Sequence, residues 1–545
     1  MSSLWIDFQY PMIKSLKQYI INLSFTQLTW LAIILCIVAF LLNLDTIAFI
    51  GDEAIRTLVA LEMKLSGNFI VPTLNGDAYY NKPPLYNWFI YLISGVFGYF
   101  GEWPTRVTTL IFLSAFAWTV YYYVRLQFDK LTALTMALML LTSGRILFWD
   151  SMLGLIDICF SWIIYLNFMV LYHLAKAQRW RLLFILSYLL FSVAFLLKGL
   201  PAVVFQGISV ITALQLHGTL KKKFISTDHF IGIGFGILPL LVYYAVYATK
   251  VPLDKVFSIL LDQSMQRTAT HHGVWKTVTH FFIFPLEQSY HFLPWSLLLI
   301  VGFHPKFKTW MRAHDFIRFN FWMLVTNLPV YWLSVQVYPR YLLMFVPLFN
   351  MVGYYVLQQS KEFNQTLWNL FRYTFLGFTL LSVLFIIGMP LSGQVRSLPH
   401  IPLFWIVGSV LITGCFLCML VDGTRIFYWF ALALLIVRLV IFDVVVLPLR
   451  KIDHKVNICR EDCHRVAEKY GKEHWYLFGE TFPHEVARFY TSGYTNQIIH
   501  KVDTVIDSSG YYLVDLRLYP DFPGTRIDSL TLESGEVLAM MCFKP

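Results

Sequence analysis

The sequence predicts an α-helical polytopic membrane protein of about thirteen spans carrying a small C-terminal α/β domain. Three observations predict it. Of 545 residues, 57% are hydrophobic and only 14% are charged, whereas soluble domains are nearer half apolar and about a quarter charged. Apolar runs of about 20 residues recur along most of the chain, the length at which a helix crosses the hydrocarbon core with its own amides and carbonyls satisfied. From Arg450 onward the composition returns to that of ordinary globular sequence. The net charge of +10 raises nucleic acid as a partner, but Lys and Arg stand in short runs between apolar segments, as in cytoplasmic loops. Membrane lipid phosphate, not nucleic acid, is the anionic partner this pattern supports.

Residues 1–27, with Lys14 and Lys17, lead into a first span at about 28–48. Positive flanks place the N-terminus inside, and with no small-residue cleavage site the segment reads as a retained anchor. The loop at about 49–88 then lies outside. In it, GDEAIRTLVALEMKLSGNFIVPTLNGDAYYNKPPLYNW, a helix runs to about Leu65, Gly67 closes it, and Asn75-Gly76 and Pro83-Pro84 mark turns. Residues 85–100 are apolar and aromatic between Pro84 and Gly101, which predicts a helix lying along or re-entering the membrane. Further spans fall at about 104–124, 131–150, 154–174, 182–198, 201–217, 229–249, 291–303, 320–336, 339–358, 372–391, 402–421 and 426–447. Connecting charges alternate accordingly: Arg125 and Lys130, Lys176 to Arg181, Lys221 to Lys223 and Lys306 to Arg318 stand inside.

Two domains follow, 1–449 in the membrane and 450–545 outside it. The second predicts a helix at about 457–470 ended by Gly471, and strands in WYLFG, NQIIHKV, YYLVDL and VLAMMCF. Roughly 95 residues suffice for a modest core. Of seven cysteines, Cys36, Cys159, Cys415 and Cys418 lie in apolar segments and read as packing residues. Cys459, Cys463 and Cys542 allow one disulfide outside, with Cys459–Cys463 a strained choice on one helix.

On this topology Asp52, Glu53, Lys82, Asp150, Lys198, Arg267, His271, His272 and Arg340 all fall at span ends on one side. Each alone reads equally well as an interfacial charge reaching for water. Together, mixed signs from many spans neutralise each other only by meeting, and ionisable groups at the membrane are costly without a partner or task. Carboxylates among cations beside lipid headgroups suit transfer chemistry on a lipid-linked phosphate: cations stabilise the leaving phosphate and an acid takes a proton. Tyr79, Tyr80 and Trp88 offer flat rings for a sugar. Asp157 reads evenly as a cavity member or a helix-to-helix hydrogen bond, and Arg438 with Asp443 as a structural pair. A divalent metal ion is the one cofactor left open, on Asp52, Glu53, His271 and His272; solvated loop histidines are the default for the last two.

The run from GDEAIR through SGNFIVPTLNGDAYYNKPPLYNW resembles the first extracytoplasmic loop of the bacterial GT-C membrane glycosyltransferases typified by the aminoarabinose transferase acting on lipid A, the ArnT-like relatives of protein O-mannosyltransferases. GRILFWDSML, FLLKGLPAVV and YPRYLLMFVP resemble that family's later motifs, so the resemblance covers roughly the first 360 residues. It implies inverting transfer from a polyprenyl-phosphate sugar on the extracytoplasmic side of a bacterial inner membrane. By position it makes Asp52 the base or acceptor-orienting carboxylate, Glu53 and Asp150 supports or metal ligands, and Lys82, Lys198, Arg267 and Arg340 the donor-phosphate clamp. Two positions depart from the family: Ile55 stands where it has arginine, with Arg56 offered as the sugar or acceptor contact, and Asn81 stands where it has glutamate before the KPP lysine. Both departures bear on the donor sugar and on any metal. Lipid A, another envelope glycan and secreted protein stay open as acceptors. The alternative class is a transporter or flippase of lipid-linked phosphates, although such proteins pair two halves around midplane charges and no second copy of the first loop occurs.

Overall fold

The computed structural model describes residue 15 and residues 17–265, 274–363, 365–398 and 400–543. Its first long helix, α1 (Phe25–Leu41), starts at a capping box in which Ser24 and Gln27 exchange hydrogen bonds. The first loop follows as α2 (Asp52–Ser66), closed by Gly67 at φ 69°. A hairpin of β1 (Thr73–Leu74) and β2 (Asp77–Ala78) comes next, and then α3 (Leu85–Phe97). The hairpin turn is Asn75-Gly76 with φ of 55° and 81°, the two-residue geometry that Asn-Gly favours.

The membrane part continues with α4 (Glu102–Arg125), α5 (Lys130–Leu141), α6 (Ile156–Lys176), α7 (Trp180–Lys198), α8 (Pro201–Leu216), α9 (Thr227–Ala248), α10 (Leu253–Met265) and α11 (Val274–His291). It ends with α12 (Asp315–Asn327), α13 (Val346–Phe363), α14 (Gln365–Gly388), α15 (Ile401–Val421) and α16 (Ile426–Val437), the last running on as a π-helical turn at Arg438–Val446. Among the described residues eight helices are long and apolar enough to cross a membrane; the pair Lys130–Leu141 and Gly144–Met152, bent by 56°, makes a ninth if taken as one span. This is a multi-pass membrane protein, but the thirteen predicted spans do not appear one for one. Three apolar helices, α1, α3 and α8, are shorter. The stretch expected at 291–303 is a 3-10 helix, Trp295–Phe303, entered through Pro294. That expected at 320–336 stops at Asn327, just before Pro329, because proline lacks the amide a continuing helix needs.

Small residues bring α7 and α9 together: a Cβ on Gly232 would lie 2.5 Å from the Phe184 Cβ, and one on Gly236 2.7 Å from that of Tyr188. Close approach through glycine is how membrane helices gain contact without a hydrophobic driving force. Every residue of α16 is buried, so the last span is the bundle's centre rather than its rim. Arg438 and Asp443 pair there at 3.4 Å, as the sequence predicts. Arg438 also donates to the Ala39 carbonyl, the Ser151 Oγ and the Leu147 carbonyl, tying the bent 144–152 segment to the centre.

The soluble domain comprises α17 (Lys455–Tyr470), β3 (Trp475–Phe478), α18 (Glu485–Thr495), β4 (His500–Val502), β5 (Tyr511–Val514), β6 (Thr525–Thr531) and β7 (Val537–Cys542). The sheet order is β4-β3-β5-β7-β6, with β3 parallel to β4 and β5 and the other pairs antiparallel. Sequence reading missed α18 and β6. Strand β6 is a polar edge, TRIDSLT, with a register shift at Arg526/Asp528, and lacks the alternation that marks a strand. The Cys459 and Cys463 sulfurs stand 4.0 Å apart as free thiols, and Cys542 is free on β7. One hydrophobic cluster joins Ile47, Phe49, Leu58 and Leu61 of the first loop to Val466, Trp475 and Phe489 of this domain. The soluble domain therefore shares its core with the loop that the site is built on.

Candidate active site

Asp52 opens α2, where the unpaired amides and dipole of a helix start favour a carboxylate. Its side chain is 54% exposed, and its Oδ2 accepts from Arg340 Nη2 at 2.9 Å. Arg340 enters on the 3-10 turn Pro339–Phe345. Its Nε lies 3.2 Å from Asp157 Oδ2, while Lys198, the last residue of α7, holds Asp157 Oδ1 at 2.5 Å. Lys198 also stands 3.7 Å from the centre of the Tyr341 ring. Lys82 and Asp150 are within electrostatic reach of Asp157. Asp150 is itself held by Arg145 Nε, 3.1 Å from each carboxylate oxygen.

The structure therefore brings together five of the residues singled out from the sequence: Asp52, Lys82, Asp150, Lys198 and Arg340. It adds Arg145 and Asp157. Among the described residues four cations face three carboxylates in this cluster, a surplus of positive charge. A dianionic group entering it meets arginine and lysine donors that are at present held by weaker-charged carboxylates. Arg145 stands five residues before Asp150 in GRILFWD, and Asp157 is an acid in an apolar span. Counting charges within spans points to both, but choosing their partners required the packing.

Glu53 is placed elsewhere than the cluster. It has no solvent exposure, and each of its oxygens takes two bonds: Oε1 from Ile50 N at 2.7 Å and Arg106 Nη2 at 2.7 Å, Oε2 from Gly154 N at 2.8 Å and Arg106 Nε at 3.2 Å. Arg106 in turn donates to the carbonyls of Leu44, Ile47 and Ala48. This is a lock between the end of the first span, α4 and the start of α6, and Glu53 stands in it as a structural support. The physical reason is that Arg106 needs a buried counter-charge, and Glu53 supplies it at 2.7 Å. Arg267, His271 and His272 lie outside the described residues. Of the expected metal set Asp52 and Glu53 are described, and they belong to separate ion-pair networks. A His/Glu group close enough for a metal does occur among the described residues, His484, Glu485 and Glu533, but in the soluble domain.

The expected sugar contacts form the neighbouring wall. Arg56 is buried, donates from Nη2 to the Tyr79 hydroxyl at 3.0 Å, and keeps Nη1 without a hydrogen-bond partner. Tyr79, Tyr80 and Lys82 line a narrow crevice with Tyr243, Tyr244 and Tyr247 of α9. Trp88 is committed to packing: its Nε1 donates to the Phe69 carbonyl at 2.8 Å and its ring meets Tyr243 edge-on at 6.0 Å. Behind the crevice, the hairpin that leads into Lys82 hangs on Glu62, whose oxygens accept from Asn75 N at 2.6 Å and Gly76 N at 3.2 Å. Burial holds the Glu62 carboxyl above its ordinary range, against the pull of those hydrogen bonds. An apolar cavity of about 250 Å³, lined by Leu342 two residues after Arg340, runs from Ser143 between Phe292, Phe345 and Asn350.

Residues 81–244 match the sequence model of the dolichyl-phosphate-mannose-protein mannosyltransferase family. No curated protein matches the chain by sequence. Among solved structures the chain is similar to ArnT from Cupriavidus metallidurans bound to undecaprenyl phosphate, with a TM-score of 0.67 and 17% identity over 95% of this chain and 98% of that one. The apo state of the same protein gives 0.59 and 15% over 94% and 97%. At these identities the likeness is one of fold: the chain has the ArnT-like GT-C architecture.

Proposed function

We propose that this ArnT-like membrane protein is a glycosyltransferase that moves a sugar from a polyprenyl-phosphate donor to an extracytoplasmic acceptor. The observation that carries the reading is the single connected cluster Asp52–Arg340–Asp157–Lys198. A leaving polyprenyl phosphate gains negative charge as the bond to the anomeric carbon lengthens, and cations already in place stabilise that charge without reorganising. Lys82, Lys198 and Arg340 take the phosphate; Arg145 orients Asp150 beside them. Asp157 keeps Lys198 and Arg340 aimed and neutralised until the donor arrives. Asp52, exposed and at a helix start, is the carboxylate with access to an incoming hydroxyl. It removes the acceptor proton as the hydroxyl oxygen attacks the anomeric carbon from the face opposite the phosphate, which gives inversion. An acceptor that is itself a phosphate is already an anion, and Asp52 then orients it. Arg56, Tyr79 and Tyr80 border the donor sugar, and the apolar cavity at Ser143 gives its prenyl chain a path to the lipid.

The similarity to the structure of ArnT bound to undecaprenyl phosphate supports a lipid-phosphate ligand for this fold. The reading is tested in vesicles containing the purified chain, labelled polyprenyl-phosphate sugars and a membrane extract. Label appearing on an acceptor with release of polyprenyl phosphate supports it. Label crossing the bilayer on an intact donor refutes it in favour of transport.

A further inference from the structure

We infer that the soluble domain is a clamp that positions the Asp52 helix and the Lys82 loop, with Asn457 and Tyr490 as the positioning residues on the Asp52 side; this rests on the reading of Asp52 and Lys82 given above. The segment immediately before Asp52 has no regular structure between the first span and α2, so its backbone groups need partners from elsewhere. Two come from the soluble domain. Asn457, on α17, accepts from the Ala48 amide through Oδ1 at 2.7 Å, and the Tyr490 hydroxyl, on α18, accepts from the Phe49 amide at 3.1 Å. The same hydroxyl donates to Glu102 Oε1, which Arg460 of α17 also holds at 2.8 Å. The Phe49 ring is pinned edge-on by Phe489 at 4.8 Å and stacked on Tyr490 at 6.0 Å.

Three residues beyond Phe49 comes Asp52, the exposed end of the ion-pair chain. The other end of the loop is gripped as well. Asn75 Nδ2 donates to the Ile499 carbonyl at 3.0 Å, and Gly76 sits so close that a Cβ there would collide with the His500 ring. The hairpin is therefore fixed seven residues before Lys82. Helix α2 itself packs against α18 through Leu58 and Leu61 in the shared core. The soluble domain thus holds the chain on both sides of α2, at 48–49 and at 75–76. A buried tyrosine hydroxyl bridging a backbone amide and a carboxylate has little purpose for the domain's own fold, since both partners belong to the membrane part.

The test uses the full chain with Tyr490→Phe, which keeps the ring packing and removes the hydroxyl, and Asn457→Leu beside Asn457→Asp, which keeps the acceptor oxygen but loses the Nδ2 donation to the Lys451 carbonyl. Hydrogen–deuterium exchange of residues 47–52 is read beside that of β3 and β5, which report the domain's own fold. Expected are about tenfold faster exchange at 47–52 in Tyr490→Phe and Asn457→Leu, unchanged strands, and protection in Asn457→Asp between that of the wild type and that of Asn457→Leu. Turnover of a polyprenyl-phosphate sugar should then fall about tenfold in kcat, with undecaprenyl phosphate binding unchanged. Unchanged exchange at 47–52 in Tyr490→Phe overturns the clamp. So does a rise in acceptor KM with kcat unchanged, which would mark the domain as an acceptor-binding module. The exchange arm reads the clamp whether or not the chain transfers sugar, so its failure and failure of the proposed reaction are told apart.

Discussion

Replacing Glu53 removes a carboxylate that meets no solvent and satisfies two backbone amides and a buried guanidinium. In Glu53→Ala, Arg106 loses its counter-ion, and breaking a buried pair from one side costs about 3–5 kcal/mol. The Ile50 and Gly154 amides lose their acceptor too, at about 1–3 kcal/mol each where water cannot enter. Arg106 keeps the Leu44, Ile47 and Ala48 carbonyls, which offsets part of this and puts the net loss near the low end, about 5 kcal/mol. Glu53→Gln keeps the shape and one oxygen but turns an NH2 toward existing donors, so about 2–3 kcal/mol is expected by the same reasoning. Denaturant unfolding in mixed micelles, followed by tryptophan fluorescence, measures the loss alongside donor turnover per folded molecule. The lock predicts a large stability loss for both variants and near wild-type turnover in whatever Glu53→Gln protein remains folded. Wild-type stability with a hundredfold fall in turnover would refute the lock and return Glu53 to the chemistry.

Three further outcomes follow from the same geometry. Asp157→Asn leaves Lys198 and Arg340 without their shared counter-charge; turnover should drop by about 100-fold, the low end of what is lost with one group that preorganises transition-state charge, which initial rates with labelled donor will show. Lys82→Ala removes one charge-assisted contact of about 1.5–3 kcal/mol, so undecaprenyl phosphate should bind about 10- to 100-fold more weakly in a filter or native mass-spectrometry titration, with unfolding unchanged. Glu62 has a folded pKa raised above 4.5 by burial, so the folded state holds the proton more tightly than the unfolded one. Its contribution is fully present below pH 4.5 and is lost as pH rises through the raised folded value; thermal midpoints from pH 4 to 7 should show that slope, and Glu62→Gln should flatten it.

Much of this architecture is legible in the chain because membranes write strong signals. Apolar length and Lys/Arg alternation give a multi-pass bundle and a separate domain, and Gly67, Asn75-Gly76 and Pro84 mark the ends of α2, the hairpin turn and the start of α3. What the sequence conceals is partnership. Asp52 and Glu53 are adjacent and chemically alike, yet successive helix positions point apart, and Glu53 meets Arg106 more than fifty residues away. Asp157 reads as a helix-to-helix contact or a cavity acid; it is a contact with Lys198 and Arg340 that also centres the cluster. Span counting fails where proline cuts apolar runs at 294 and 329. The grip of Asn457 and Tyr490 on residues 48–49 crosses more than 400 positions, and no local pattern announces it.

The most direct test of the proposed chemistry is the rate at which folded wild-type and Asp52→Asn proteins consume a polyprenyl-phosphate sugar in the presence of a hydroxyl acceptor, with undecaprenyl phosphate binding measured on the same samples. The account predicts consumption by the wild type and a fall of at least about 100-fold in Asp52→Asn, the scale of a lost general base, with binding retained. Equal consumption by the two proteins would contradict the role of Asp52, and no consumption by either, with binding intact, would contradict the transferase itself.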